Sequence, residues 1–211
     1  MTTQINYNQI KGAPVSVMDF GATGDGTTDD APAFTLALRS GARHVIAPVP
    51  SVRYRFETPI NMTTDAALFT CCGITLEFLG SMDVNATPNG SQPCIAAHTG
   101  HVLDMAGSRD CVIIGMNVEG DATTTPSTMI FSARNSAGSD CGRNRYINCR
   151  SSGKFTTSVF YGYGAEENQY YSCYFIQAQA GKSTVAIVGT NTSSLTSTFI
   201  TIITGSQSTT V

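Results

Sequence analysis

The segment VSVMDFGATGDGTTDDAPAF, residues 15–34, packs three glycines and four aspartates between an alternating apolar run and a helical pattern. Val15 to Phe20 alternates as a strand does, with Val15, Val17 and Asp19 on one side and Ser16, Met18 and Phe20 on the other. Beyond the glycines, Phe34, Ala37, Leu38 and Gly41 recur at i, i+3, i+4 and i+7, which predicts a short amphipathic helix over residues 30–40. Asp29 or Asp30 can accept from the free N–H groups at its start, Pro32 falls in the first turn, and Gly41 can close its end. Two chemical readings compete with this architectural one. Gly21, Gly24 and Gly26 reverse the spacing of a dinucleotide-binding loop, and no Gly-Lys-Ser/Thr follows them. Asp25, Thr27, Asp29 and Asp30 are spaced somewhat like calcium-loop ligands, but the loop lacks the sixth-position glycine and the distal bidentate glutamate. Asp19, Gly21, Gly24, Asp25, Gly26, Asp29 and Asp30 therefore read as a structural motif in which glycines turn the chain and an aspartate caps the helix.

The 211 residues suffice for one domain with a sizeable core or for one elongated solenoid. Only 13% of residues are charged and the net charge is -3, so the chain lacks the basic footprint of a nucleic-acid partner. No apolar run approaches the ~20 residues that span a bilayer, which argues against membrane insertion. The seven cysteines are odd in number and form no CxxC pair; most of them read as buried structural thiols of a chain made in a reducing cytosol. Cys94, His98 and His101 put three potential soft ligands within eight residues, but no fourth follows at zinc spacing. A buried cysteine and surface histidines are expected there, with no metal and no cofactor.

From His44 onward, short runs rich in β-branched and aromatic residues alternate with Gly, Asn, Ser, Asp and Thr: 45–47, 54–56, 67–69, 74–79, 112–114, 159–161, 185–188 and 199–203. Three segments share a further likeness, starting at Asp110, Asn144 and Asn168. Tyr146 and Cys149 recur as Tyr170 and Cys173 at a spacing of 24, and Ile114 recurs as Ile147 at a spacing of 33. A drifting repeat of this length, each unit holding short strands and polar turns, predicts a β-solenoid in which stacked rungs bury what one rung cannot. Cys149 and Cys173 would then be neighbours in an interior ladder.

The opening segment, together with RHVIAPVPSVRYRFETPI at 43–60, resembles the entry region of pectate-lyase-like right-handed parallel β-helix proteins, bacteriophage tailspikes and capsular depolymerases in particular. The match covers about the first sixty residues, and Pro-Ser stands where that family usually has P-x-G. The resemblance implies an all-β, right-handed parallel β-helix with a short N-terminal capping α-helix. It divides the chain into a lead-in over 1–14 and a single β-helix domain over 15–211, with the capping strand and helix at 15–42 and rungs from about 43. It also implies a virion appendage, synthesised in the bacterial host cytoplasm, that is a homotrimer and meets bacterial surface polysaccharide and other tail proteins. It carries over no catalytic residues.

Chemistry must therefore be sought among the side chains themselves. Glycoside cleavage needs two acids facing one cleft about 5 to 9 Å apart, which adjacent rungs or alternate residues of one strand can supply. Glu119 with Asp121 fits the second geometry, and Asp104, Glu77, Glu166 and Glu167 are further candidates. Tyr161, Tyr163 and Tyr170 offer flat apolar faces with a hydroxyl, which suit sugar rings. Arg143 and Arg145 belong to the one local basic cluster, a match for an acidic sugar. Three functions remain open at this stage: a tail appendage that recognises polysaccharide, a hydrolase or lyase on the same fold, and a structural tail or adaptor protein.

Overall fold

The computed structural model describes residues 12–62, 72–80, 94–133, 141–163, 165–176, 178, 181–188, 198–200 and 203–204; for 163, 165, 166, 183–188, 198–200 and 203–204 it describes the backbone alone. The expected strand at 67–69, most of the lead-in and the last seven residues lie outside this set. Among the described residues the fold is mostly β, built from parallel sheets with one α-helix.

The chain visits three larger sheets in rotation among the described residues, and a fourth, two-stranded sheet pairs Cys141–Gly142 with Ala165–Glu166. The first holds seven strands: Val15–Ser16, His44–Ala47, Thr75–Phe78, Val112–Ile114, Arg145–Ile147, Gln169–Tyr171 and Thr198–Ile200. The second holds Asp25–Asp29, Arg53–Phe56, Cys94–Ala96, Asn117–Gly120, Arg150–Gly153, Tyr174–Phe175 and Ile203–Thr204. The third holds Ile60–Asn61, His101–Asp104, Thr128–Ala133, Ser158–Tyr163 and Ser183–Val188. Within the expected run 199–203, residues 199 and 200 belong to the first sheet and 203 to the second.

Parallel pairing in register lines up equivalent residues of successive turns. In the first sheet Val45, Leu76, Ile113, Tyr146 and Tyr170 form one column, all of them buried in a core shared by the three sheets. Tyr146 and Tyr170 stack at 5.0 Å, and Phe160 of the third sheet meets Tyr170 edge-on at 4.9 Å. Cys149 and Cys173 sit three residues after these tyrosines, both buried, and the Cys173 thiol donates to the Tyr146 carbonyl at 3.3 Å. Asn144 and Asn168 repeat the arrangement with amides. Cys111 N–H donates to Asn144 Oδ1 at 3.0 Å, and Asn144 N–H donates to Asn168 Oδ1 at 3.1 Å.

The five non-glycine residues with positive φ among the described residues all flank the first sheet. Asp110, Arg143 and Glu167 precede successive strands, while Asn148 and Ser172 follow them. The left-handed conformation turns the chain sharply at each corner, and the packed ladders on either side hold it there.

The opening segment departs from its expected form in two places. Only Val15–Ser16 is a strand, and Val17–Phe20 is a 3-10 helix. Alternation alone misses the reason: Ser16 and Asp19 form a capping box, the Ser16 hydroxyl accepting from Met18 N–H and the Asp19 carboxylate accepting from Ser16 N–H. The stretch after Gly24 is a bulged strand of the second sheet, with Asp25 paired to Arg53 and Asp29 to Arg55. Gly24, at φ 63°, lies where a Cβ would meet the Pro50 side chain at 2.5 Å, so only glycine fits.

The helix spans Ala31–Arg39, close to the predicted span, and buries Phe34 against Tyr54, Phe56 and Phe78. Asp29 accepts from Ala31 N–H, the first free donor of the helix. Asp30, at the N-cap position, makes no side-chain cap. Its buried carboxylate accepts from Thr23 N–H at 2.7 Å, Gly24 N–H at 3.3 Å and Arg55 N–H at 3.1 Å, tying the glycine loop to the second sheet.

A Cβ on Gly153, whose φ is 78°, would lie 2.3 Å from the Gly120 carbonyl oxygen one turn below. Gly41, at φ 87°, has open space around it. Gly153→Ala is expected to destabilise the fold by about 3 kcal/mol and Gly41→Ala by about 1 kcal/mol, measured by urea unfolding. Equal losses would show that φ alone, without the close backbone approach, sets the cost.

Candidate functional site

The solvent-facing side of the third sheet gathers the candidate site. Its strands break simple alternation: Val102 with Leu103, Met129 with Ile130, and Val159 with Phe160 are consecutive buried pairs. The residues that follow these pairs, Asp104, Phe131 and Tyr161, are half-exposed, as is His101 before the first pair, whereas Thr128 and Ser158 are buried. Asn61, Asp104, Phe131 and Tyr161 share one register column, and His101 lies at the start of its strand. His101 stacks on Phe131 with centroids 3.9 Å apart and planes 4° apart, and Phe131 stacks on Tyr161 at 5.6 Å and 9°. Three rings on three successive strands form a continuous half-exposed ladder. The Asp104 carboxylate flanks it and accepts from Ala106 N–H at 3.0 Å.

His101 is held in place at its other edge as well. Its Nδ1 lies 2.8 Å from the Ser127 hydroxyl and 3.0 Å from the Thr128 hydroxyl. Burial lowers its pKa below the ordinary imidazole value, with Asp104 opposing the shift. His98, expected at the surface, is buried: Gly100 N–H donates to its Nδ1 at 3.0 Å, and its Nε2 has no hydrogen-bond partner among the described residues. Its pKa is lowered by the same desolvation. Cys94 is buried, and its thiol is pushed up to about 12 by burial, which keeps it protonated and disfavours metal binding. Among the described residues, no three His, Cys, Asp or Glu side chains come together as a metal site.

Three of the acidic candidates lie on separate sheets, while Glu119 and Asp121 stay two residues apart at the end of one strand. Asp104 lies on the third sheet, Glu119 on the second and Glu77 on the first. Glu77 faces His44 at 2.8 Å. Glu119 meets Arg53 at 3.3 Å. The Asp121 carboxylate accepts from Thr123 N–H and Thr124 N–H, both at 2.7 Å, and these bonds lower its pKa, so it is unsuited to donate a proton as a general acid. Glu167 is exposed at a corner with φ 51°. Glu166 pairs with Gly142 through the backbone, and its side chain lies outside the described residues. In the opening segment, Asp25 accepts from the N–H groups of Thr28 and Thr27 and from the Thr28 hydroxyl, which hold its carboxylate well below the usual range.

The aromatic and basic candidates divide. Tyr161 stands in the outward ladder. Tyr170 is a correction: it is fully buried against Tyr146, because its place in the strand points it inward, and it cannot face a ligand. Tyr163 pairs with Ala133 and Val188, and its side chain lies outside the described residues. Arg143 makes a two-pronged pair with Asp110 one turn below, both contacts at 2.7 Å, while Arg145 is exposed on the first sheet. The sequence reading missed Phe131 as Tyr161's partner and expected His101, like His98, only as a surface histidine. The signal for both was the recurring pair of adjacent apolar residues in VL, MI and VF at 102, 129 and 159.

No family model and no curated protein matches the chain. Among solved structures, it is similar to the A-module of the Azotobacter vinelandii mannuronan C-5 epimerase AlgE4, at 13% identity and a TM-score of 0.46 over 80% of this chain and 55% of that one. It is also similar to ORF18 of Geobacillus virus E2, at 14% identity and a TM-score of 0.35 over 83% of this chain and 50% of that one. The chain spans about half the length of both.

His98 and His101 both have folded pKa values below the unfolded value near 6.5, so the unfolded chain binds protons first as pH falls. Their contribution is intact above pH ~7 and is lost as pH drops through 6.5 toward the lower folded values. The melting temperature is expected to fall between pH 7.5 and 5, and His98→Asn to flatten that slope. An unchanged slope in the variant would remove His98 from the account.

Proposed function

We propose that the chain is a bacteriophage tail appendage that recognises host-surface polysaccharide through the outward ladder of the third sheet. One observation carries this reading: His101, Phe131 and Tyr161 stack in register on the solvent side, flanked by the Asp104 carboxylate and Asn61. Flat rings in a row suit the apolar faces of successive sugars, and the polar side chains beside them suit hydroxyl groups. The entry segment, with its resemblance to tailspike-type proteins, supplies the setting: a right-handed parallel β-helix, a virion location and a homotrimer. Three seven- or five-stranded parallel sheets visited in rotation support closure into such a solenoid.

Binding is favoured over glycoside cleavage because Glu77 and Glu119 already hold ion-pair partners, the Asp121 carboxylate is held by two backbone donors, and Asp104 lies on a different sheet from Glu77 and Glu119. Isothermal titration against purified capsule or O-antigen fragments tests the proposal. Phe131→Ala and Tyr161→Ala are each expected to weaken binding about tenfold, about 1.4 kcal/mol, while Tyr174→Ala on the second sheet leaves it unchanged. Equal losses in all three variants, or binding indifferent to all, would remove the ladder from the interface. Light scattering that gives a monomer mass would remove the homotrimer.

A further inference from the structure

Ser127 sits at the entrance to the strand Thr128–Ala133, beside the ladder but outside it. Its backbone N–H donates to the Gly100 carbonyl at 2.9 Å, and Gly100 N–H in turn donates to His98 Nδ1, so the two loops before the third sheet are locked together. Its hydroxyl lies 2.8 Å from His101 Nδ1, within the range of a nucleophile paired with a general base. Thr128 approaches the same nitrogen at 3.0 Å, but one lone pair accepts one full-strength hydrogen bond. Thr128 is fully buried and Ser127 is half-exposed, so Ser127 is the hydroxyl that a ligand can reach. The face-to-face contact of His101 with Phe131, at 3.9 Å, fixes the ring and keeps Nδ1 turned toward the serine.

We infer that Ser127 and His101 form a nucleophile and general-base pair that removes ester-linked acyl groups, such as O-acetyl, from sugars lying on the adjacent ladder. Ser127 Oγ attacks the ester carbonyl carbon and its proton passes to His101 Nδ1. The bond from that carbon to the sugar oxygen breaks, and the proton returns to the departing oxygen. Water then adds to the acyl-serine by the same relay, releasing the carboxylic acid and restoring the serine hydroxyl. Ester and water become acid and alcohol, and nothing is oxidised or reduced. Desolvation keeps the imidazole neutral at neutral pH, which is the form that accepts a proton. The choice of a sugar substrate rests on the proposed glycan-binding reading of the ladder; the chemistry at the serine does not.

The full-length chain is treated with phenylmethylsulfonyl fluoride and mapped by peptide mass spectrometry, and hydrolysis of p-nitrophenyl acetate is followed in parallel. A sulfonyl adduct on Ser127 is expected, together with hydrolysis that drops by about 100-fold in Ser127→Ala and in His101→Gln. Ser152→Ala, on the second sheet, retains both signals. Circular dichroism melts establish that the variants fold; where Ser127→Ala does not, the adduct on the unaltered chain decides. An unaltered chain that gives no Ser127 adduct, or that hydrolyses no faster than the folded Ser127→Ala variant, overturns the pair. Acetate release from an O-acetylated capsule, absent with the de-acetylated form, tests the substrate class. A Ser127 adduct without any polysaccharide binding retains the pair and overturns the ladder reading alone.

Discussion

Parallel pairing in register imposes one condition on every position of this chain: each side chain must tolerate the residue at the equivalent place one turn away, about 4.8 Å distant. Like residues meet this condition well when they are flat or can hydrogen-bond in series. Tyr146 lies on Tyr170, the Asn144 backbone donates to the Asn168 amide, and Cys149 has Cys173 as its counterpart in the next turn. Opposite charges meet it at the surface, where Arg143 grips Asp110. The condition also explains why left-handed residues cluster at the same corners, since a bend made in one turn has to be made again in the next.

The same constraint builds the outward face of the third sheet. Phe131 stacks on Tyr161 because register places the two side by side, and His101 completes the row by leaning onto Phe131. A surface of this kind differs from a buried core column only in which way its strand positions point. The neighbouring columns, Leu103 with Ile130 and Phe160, face the interior and join the core. Recognition and stability are thus adjacent products of one ladder, and the imidazole that ends the outer row is also the group that meets the two hydroxyls before it.

At the other end of the molecule, closure depends on a buried carboxylate and an aromatic cluster. Asp30 accepts backbone donors from the glycine loop and from the Arg53–Phe56 strand, and Phe34 packs on rings from both of the first two sheets. The sequence pattern placed the helix here correctly and gave its apolar face. It offered Asp29 or Asp30 as the helix cap; Asp29 takes that role, and Asp30 does not, because its donors lie 25 residues away at Arg55 and in the preceding loop, where no local rule points.

The sequence by itself determined the β-rich character, the helix, the burial of five of the six described thiols, Cys72 being exposed, and the repeat spacings of 24 and 33, because these depend on local periodicity and on residue types that a stacked strand tolerates. It also marked Tyr161 and Asp104 as candidates one by one. Only the tertiary structure decided that Tyr161 faces solvent while Tyr170 faces the core, and that Phe131 is the neighbour that links Tyr161 to His101 and Asp104. The turns differ in length, so the offset between equivalent residues changes from one to the next. Which side chains meet is therefore set by the hydrogen-bonded register between strands some thirty residues apart, a quantity that no short window of sequence contains.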